Sequence, residues 1–402
     1  MTISRSLFTL LKVGLSSAVS NNEPMRDQKR AKKYNDSKQQ LVLAGMFLSF
    51  VGGAVMIFAR IGTKFDRRIV RVSSNRFARR TIFTAILTIF DLLASLPLGF
   101  YSGYVLEHRY ELSNQTKRAW LIEQGKGLIL ALPFAALVAN VLLEIIERWP
   151  KRWWLITTAL ALPFTVLLSQ LAPILIAPLF NRYEALKDEE LAARLKALAA
   201  RSGINVANVL QMDMSRQTKK ANAFFAGMGQ TKRIVLADTL LESFTPAEIE
   251  VIVAHEIGHQ AHRDLWRFVA LGTVFTAGLS FVVDVLANQI VRRLGRQIDV
   301  ERLSDVTALP LLSWLLTSVG LTLTPLQNLY SRIIERRADT YALELTNDPA
   351  AFESAMQRLG ELNLADPNPS KFVKYTMYSH PPVAERIERA KRYAHDAQAQ
   401  NL

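Results

Sequence analysis

The sequence contains no cysteine among its 402 residues, and only six histidines. Disulfide bonds and thiolate ligands are therefore excluded, so any bound zinc has to be held by imidazole and carboxylate groups. Acidic residues are also scarce, because 35 Asp and Glu accompany 49 Lys and Arg, giving a formal net charge of +14. The basic residues cluster beside apolar stretches, as in residues 26–38 and 64–80, without an RNA-binding or DNA-binding motif. We therefore expect no nucleic-acid partner and interpret the clusters as contacts to anionic lipid headgroups.

Hydrophobic residues make up 50% of the chain although 21% of it is charged, so the apolar residues must be collected in blocks. Six stretches are long and apolar enough to cross a hydrocarbon core of about 30 Å. They are residues 41–59, 82–106, 127–146, 155–180, 266–291 and 307–330. A buried helix of a soluble core is the alternative for each, most of all for the last stretch, which Pro310 and Pro325 interrupt. The sequence predicts a mostly α-helical, multi-pass membrane protein with about six spans.

The most informative motif is H-E-I-G-H at residues 255–259. His255 and His259 are four residues apart, so on a helix they lie on one face and can bind a single Zn²⁺, with Glu256 as the general base. The preceding T-P-A-E at residues 245–248 has the spacing of a capping box with proline at the first helical position, which predicts where this helix begins. The alternative is an amphipathic helix on which two histidines pack by coincidence.

A third zinc ligand is predicted after the last span, because a catalytic zinc takes three protein ligands and keeps one position for water. Glu335 and Asp339 are four residues apart on a predicted helix. We predict that Glu335 is the ligand and that Asp339 accepts the other ring N–H of a ligand histidine, which fixes its tautomer. The alternative is a solvated helix face that carries Arg332, Arg336 and Arg337.

The two polar regions of the chain are predicted to form one α+β peptidase domain with a small sheet. Since two spans separate them, both lie on the same side of the membrane. The first region is predicted to contain a helix at 189–201 and strands at 209–214, 222–225 and 233–237. The predicted segments are a basic N-terminal tail (1–40), four spans (41–180), the first part of the peptidase domain (181–265), two spans (266–330) and its second part (331–402). We expect no cleaved signal peptide.

Several further stretches carry a family resemblance. Besides H-E-I-G-H and S-R-x-x-E-x-x-A-D at residues 331–339, they are residues 107–116, 176–181, 222–225, 232–236 and 379–382, followed by Glu385 and Arg386. In this order, from about residue 82 to residue 389, the chain resembles the type I CAAX prenyl protease family, which are membrane zinc metalloendopeptidases of the gluzincin type. The resemblance covers membrane and soluble parts alike.

The resemblance implies a zinc endopeptidase whose active site lies beneath membrane helices that enclose a chamber. It implies that Asn222, on an edge strand, holds the substrate backbone. It also implies that His380 and Arg386 lie at the site, where they steady the oxyanion or bind a substrate carboxylate. Eukaryotic members have seven spans, whereas this sequence predicts six. The family pattern favours a peptidase domain on the cytoplasmic side.

The predicted function is the hydrolysis of peptide bonds at the membrane by one zinc ion per chain. The substrate is a peptide or protein, and it is lipidated if the resemblance extends to trimming the C-terminal residues of prenylated proteins. One alternative is a quality-control protease that degrades misfolded membrane proteins. An alternative of another class is a non-catalytic scaffold or transporter stabilised by zinc, against which the intact Glu256 argues.

Overall fold

The computed structural model describes the backbone of residues 4–400 and the side chains of residues 28–399. Within this part, six helical segments are long and apolar enough to span a membrane, as predicted: Gln28–Phe58, Arg76–Arg109, Lys117–Arg148, Trp153–Leu179, Asp264–Ile298 and Val306–Thr346. Large apolar side chains on them face outward, including Phe47, Ile129 and Val274, which are 66%, 71% and 69% exposed. Apolar surface of this extent is stable when lipid covers it. The chain is a multi-pass membrane protein.

Among the described residues, eight α-helices build the membrane part. They are α1 (Ser4–Phe58), α2 (Ile61–Ile69), α3 (Arg76–Phe100), α4 (Leu106–Arg109), α5 (Lys117–Arg148), α6 (Trp153–Leu171), α10 (Asp264–Ile298) and α11 (Leu309–Thr346). Asn75 and Thr116 begin α3 and α5, because each side chain accepts a hydrogen bond from a backbone N–H of the first turn. Helix α11 is continuous over 38 residues, so it crosses the membrane region and extends into the soluble part.

The soluble part contains a four-stranded sheet and six helices. The strands are β1 (Tyr183–Ala185), β2 (Asn208–Met212), β3 (Ala223–Ala226) and β4 (Arg233–Ala237), and the helices are α7 (Glu189–Arg201), α8 (Asp238–Ser243), α9 (Pro246–Ala261), α12 (Pro349–Leu362), α13 (Lys371–Thr376) and α14 (Val383–Gln400). The strand order is β1-β2-β4-β3, with β2 and β4 parallel and the other pairs antiparallel. Strand β3 therefore forms one edge of the sheet.

Helix α9 begins where the capping-box spacing predicts. The Thr245 side chain accepts a hydrogen bond from the Glu248 N–H, and the Glu248 carboxylate accepts one from the Thr245 N–H at 2.7 Å. Pro246 occupies the first helical position, where its missing N–H costs no hydrogen bond. The apolar face of α9 is buried in the main soluble core together with β4, α7, α12 and the last turns of α11. This core fixes α9 against α11.

The sequence located three of the four strands and the helix at 189–201, but it missed β1. Strand β1 has only three residues, two of them exposed, so no alternating pattern marks it. The observed architecture is the predicted fold class, a helical membrane bundle joined to a small α+β domain. The division of the chain into five segments stays a prediction.

Candidate metal centre

Two imidazoles meet on one face of α9. His255 and His259 are one helical turn apart, and their Nε2 atoms lie 3.2 Å from each other. His255 is buried and His259 is partly buried, so both rings are held by packing. Helix α9 therefore presents the Nε2 atoms of two imidazoles toward a single point, as the spacing predicts.

Helix α11 brings the Glu335 carboxylate to the same point. Its Oε2 atom lies 3.3 Å from His255 Nε2, and its Oε1 atom lies 3.5 Å from His259 Nε2. Gly258 makes this approach possible, since a Cβ atom there would lie 3.2 Å from the Cα atom of Ala338 on α11. The glycine between the two histidines thus lets the two helices pack closely enough to share a metal.

The three side chains fit a single zinc site. In a tetrahedral site with bonds of about 2.0–2.1 Å, the ligand atoms lie about 3.3 Å apart. The two Nε2 atoms lie 3.2 Å apart, and each lies close to a different oxygen of the Glu335 carboxylate, at 3.3 and 3.5 Å, so the separations are near this spacing. Glu335 Oε2 is buried and has no hydrogen-bond partner among the described residues, which leaves a carboxylate oxygen available to a cation. Two imidazoles and one carboxylate form a ligand set that zinc peptidases use.

Each ligand histidine is held by a buried carboxylate on its other ring nitrogen. Asp339 Oδ1 lies 2.9 Å from His255 Nδ1, and the role predicted for Asp339, to accept the ring N–H of a ligand histidine, stays a prediction. Asp264 Oδ2, at the start of α10, lies 3.0 Å from His259 Nδ1. Such partners fix the tautomer, so that Nε2 carries the lone pair toward the metal. The role of Asp264 was missed by the sequence reasoning.

The two buried carboxylates are in turn neutralised by arginines. Arg386 on α14 donates from Nε to both Asp339 oxygens at 3.1 Å, and Arg337 on α11 pairs with Asp264. Unpaired buried carboxylates would be costly, so each arginine compensates for the burial of its acid. The signal for Asp264 in the sequence is an acid close behind the second histidine, just before an apolar run.

Electrostatics favour positive charge at the centre. Burial lowers the pKa of His255, but its hydrogen bond to Asp339 and the nearby Glu335 carboxylate outweigh burial and raise the pKa to about 9. The same carboxylates that favour a proton on this imidazole favour a divalent cation beside it. Glu256 lies on the same helix, and burial raises the pKa of its carboxyl group above the ordinary value, although the two histidines act in the opposite direction.

The remaining predicted residues lie at different distances from this point. His380, in the loop between α13 and α14, places Nε2 at 3.4 Å from Glu335 Oε1. Arg386 contacts Asp339, and its Nη2 atom lies 3.3 Å from His255 Nδ1. Asn222 is exposed and directly precedes the edge strand β3. Its carbonyl oxygen accepts a hydrogen bond from the Ala237 N–H at 3.0 Å. The catalytic and substrate-binding roles of these residues stay predictions.

Comparisons with known proteins point the same way as the geometry. Residues 185–394 match the family described as Peptidase family M48, and residues 14–182 match the description "CAAX prenyl protease N-terminal, five membrane helices". A Bacillus subtilis protein named as the uncharacterized metalloprotease YhfN is 31% identical over 362 residues, which cover 90% of this chain and 85% of that protein.

Relatives with CAAX in their names are also similar along most of the chain. CAAX prenyl protease 1 of Saccharomyces cerevisiae is 29% identical over 333 residues, covering 77% of this chain and 71% of the yeast protein. Among solved structures, the crystal structure of S. mikatae Ste24p superposes with a TM-score of 0.78 at 26% identity, covering 90% of this chain and 88% of that chain. Both the membrane helices and the soluble domain take part in this similarity.

Proposed function

The chain belongs to peptidase family M48, and from this premise we propose that it hydrolyses peptide bonds with His255, His259 and Glu335 as zinc ligands and Glu256 as the general base. The observation that carries the proposal is the convergence of the two Nε2 atoms and the Glu335 carboxylate at separations of 3.2, 3.3 and 3.5 Å. Glu256, the carboxylate to which the motif assigns proton transfer, directly follows His255 on the same helix. The chain is a zinc metalloprotease of the membrane.

Glu256 moves the protons of the reaction. Bound Zn²⁺ supplies Lewis acidity, which polarises the scissile carbonyl and acidifies the attacking water. Glu256 accepts the proton of that water and delivers it to the nitrogen of the leaving amine. Asp339 and Asp264 hold the Nδ1 sides of the two rings, so that Nε2 of each ring points toward the position a bound zinc would occupy.

Strand β3 is proposed to bind the substrate backbone. It is an edge strand, so its outer N–H and C=O groups are available to an extended peptide, which would add as a further strand. Asn222 stands at the start of this edge, and its exposed side chain is proposed to hold the substrate in register. Recognition through the backbone gives affinity with little dependence on side chains.

His380 and Arg386 are proposed to act on the substrate side of the zinc. His380 lies 3.4 Å from the Glu335 carboxylate on a loop, where it is close enough to steady the oxyanion of the reacting carbonyl. Arg386 pairs with Asp339 and contacts His255, so it positions these two side chains. We propose that it also binds a carboxylate of the substrate. Both assignments follow from the family pattern together with these contacts.

The natural substrate is proposed to be a lipidated protein whose C-terminal residues are removed. This proposal is supported by the similarity to proteins named CAAX prenyl protease 1 along more than three quarters of the chain, membrane helices included. A quality-control protease is the second candidate, and the open edge β3 favours it because backbone recognition suits unfolded segments. A non-catalytic scaffold is the least supported candidate function, because the chain belongs to a metalloprotease family.

One substitution tests the catalytic proposal. Glu256→Gln should retain zinc while kcat falls by about 10²- to 10⁴-fold, because only the proton acceptor is lost. The matched control is Glu250→Gln on the same helix, where Glu250 pairs with Arg194 away from the zinc. Turnover of a quenched fluorogenic peptide and metal content are measured on both variants. Wild-type turnover in Glu256→Gln would refute the proposed mechanism.

A pair of substrates tests the proposed specificity. A farnesylated peptide ending in a CAAX sequence is compared with the same peptide without the lipid and with an unfolded membrane-protein segment. Preference for the farnesylated peptide in kcat/KM supports lipidated substrates. Equal cleavage of the unlipidated and unfolded peptides supports the quality-control role instead.

The zinc-bearing domain is proposed to face the cytoplasm.

A further inference from the structure

A buried carboxylate outside the metal centre ties three distant segments together. Glu107, on α4, is only 8% exposed. Its Oε1 atom accepts a hydrogen bond from the Tyr34 hydroxyl at 2.7 Å and lies 2.7 Å from Lys38 Nζ, and its Oε2 atom lies 2.9 Å from Lys220 Nζ. Lys220 also donates to the Tyr34 hydroxyl at 2.9 Å. We name these four residues the Glu107 cluster.

The cluster joins the first span to the segment that leads into β3. Tyr34 and Lys38 belong to the span Gln28–Phe58, whereas Lys220 lies two residues before Asn222. The Lys220 carbonyl oxygen accepts a hydrogen bond from the Thr239 hydroxyl at 2.8 Å, which holds the segment against the start of α8, directly after β4. Any shift of Lys220 therefore moves the beginning of the substrate-binding edge.

Backbone contacts continue the attachment on the N-terminal side of Lys220. Ser113 and Thr218 form an antiparallel bridge, and the Lys219 N–H donates to the Leu112 carbonyl at 2.9 Å. The loop that carries Ser113 follows α4 directly, so it belongs to the membrane part. The segment that leads into β3 is thus held by contacts with the membrane part on one side and with the sheet on the other.

Charge is the unusual part of this attachment. Pairing a buried carboxylate with two partly exposed ammonium groups gains little net stability over an apolar contact of the same shape, whereas hydrogen-bonded ions fix direction more strictly. A cluster of this kind is therefore expected where position matters more than stability. No zinc ligand is part of it, so its effect on catalysis has to pass through the edge strand.

We infer that Glu107 is a positioning residue that aligns β3 and Asn222 with the zinc helix for substrate binding. The inference rests on the proposed function, because it requires that β3 binds substrate. Without Glu107, only a fraction of the molecules has the strand aligned, and the apparent substrate affinity falls by that fraction. At saturating substrate, binding restores alignment, so KM should rise while kcat stays close to its original value.

The test measures KM, kcat and zinc content of the full-length protein in detergent with a fluorogenic peptide. In Glu107→Gln the ammonium groups lose their counter-ion, and we expect KM to rise by roughly tenfold or more, as for the loss of a hydrogen bond to a charged group. Lys220→Met, which removes the strand end of the cluster, should have the same effect and decides the outcome if Glu107→Gln loses zinc. The matched control is Glu111→Gln. Glu111 lies in the loop that follows α4, where its exposed side chain pairs with Arg30 of α1.

A disulfide rescue separates positioning from a general loss of structure. The chain has no cysteine, so Ser113→Cys with Thr218→Cys introduces a single pair, at a bridge whose spacing suits a disulfide. Oxidation should restore the KM of Glu107→Gln to that of the oxidised pair with Glu107 intact, and reduction should remove the rescue. Failure of the rescue would overturn the inference.

Asn222→Ala is measured in parallel, so that the two proposals can fail separately. If Asn222→Ala raises KM and neither Glu107→Gln nor Lys220→Met does, the inference is wrong and the edge strand keeps its role. If none of the three variants changes KM, the proposed substrate strand is itself wrong.

Discussion

The most direct test of the metal centre is the removal of Asp264, the carboxylate that holds His259. Its Oδ2 atom lies 3.0 Å from His259 Nδ1, and it is buried at the start of α10. In Asp264→Ala the imidazole loses the acceptor that fixes its tautomer and orientation. Loss of such a partner typically lowers metal affinity by about 10- to 100-fold. This corresponds to about 1.4–2.8 kcal/mol of zinc-binding free energy.

Asp264→Asn should fall between the wild type and the alanine variant. The amide oxygen of asparagine can still accept the Nδ1 proton, but it lacks the negative charge that makes the imidazole a stronger ligand. The alanine variant also leaves Arg337 without its carboxylate partner, so its thermal stability has to be measured alongside. Arg267→Gln is the control, because Arg267 lies 4.0 Å from Asp264 and is half exposed.

Zinc affinity is measured by competition with a chromophoric chelator, on folded protein in detergent. We expect the order wild type, Asp264→Asn, Asp264→Ala in decreasing affinity, with Arg267→Gln equal to wild type. If Asp264→Ala remained folded and bound zinc as tightly as the wild type, the assignment of Asp264 as the holder of His259 would be refuted.

Three further predictions concern stability and topology. Thr245→Ala removes the cap of α9 and should lower the unfolding free energy by about 1 kcal/mol, seen as a lower midpoint in chemical denaturation. Gly258→Ala places a methyl group against α11 and should cost about 1–3 kcal/mol and weaken zinc binding, and wild-type zinc affinity would contradict it. Single cysteines at Lys196 and at Val72, which is 80% exposed, should be labelled from opposite sides of the membrane, and labelling from one side would contradict the six-span arrangement.

Local signals in the sequence were sufficient for the zinc helix. The cap at Thr245 and the spacing of His255 and His259 are properties of one continuous helix, so the pattern alone located both. Glu335 lies far away in sequence, but it was within reach of reasoning because zinc requires a third ligand and the spans restrict which regions can meet. The need for a third zinc ligand is a long-range constraint, whereas secondary-structure propensity depends only on residues close together in the sequence.

Residues with no such constraint were missed. Asp264 follows Arg263, whose φ of 55° ends α9 with a left-handed turn, and this turn brings the carboxylate back toward His259. No helical periodicity predicts such a return. The Glu107 cluster combines residues near positions 34, 107 and 220, and only the packed structure shows that they share one carboxylate. Buried polar networks of this kind depend on tertiary packing rather than on sequence spacing.

Helix α11 has a consequence that reaches beyond the site itself. It runs over 38 residues, about 57 Å at the usual helical rise, and it carries Glu335 beyond the internal Pro325. The lipid-facing turns and the zinc ligand therefore share one axis. A bilayer thinner or thicker than the apolar length of this helix would change its tilt, and a small tilt at the membrane end becomes a displacement at Glu335. We therefore expect peptidase activity to depend on the thickness of the surrounding bilayer.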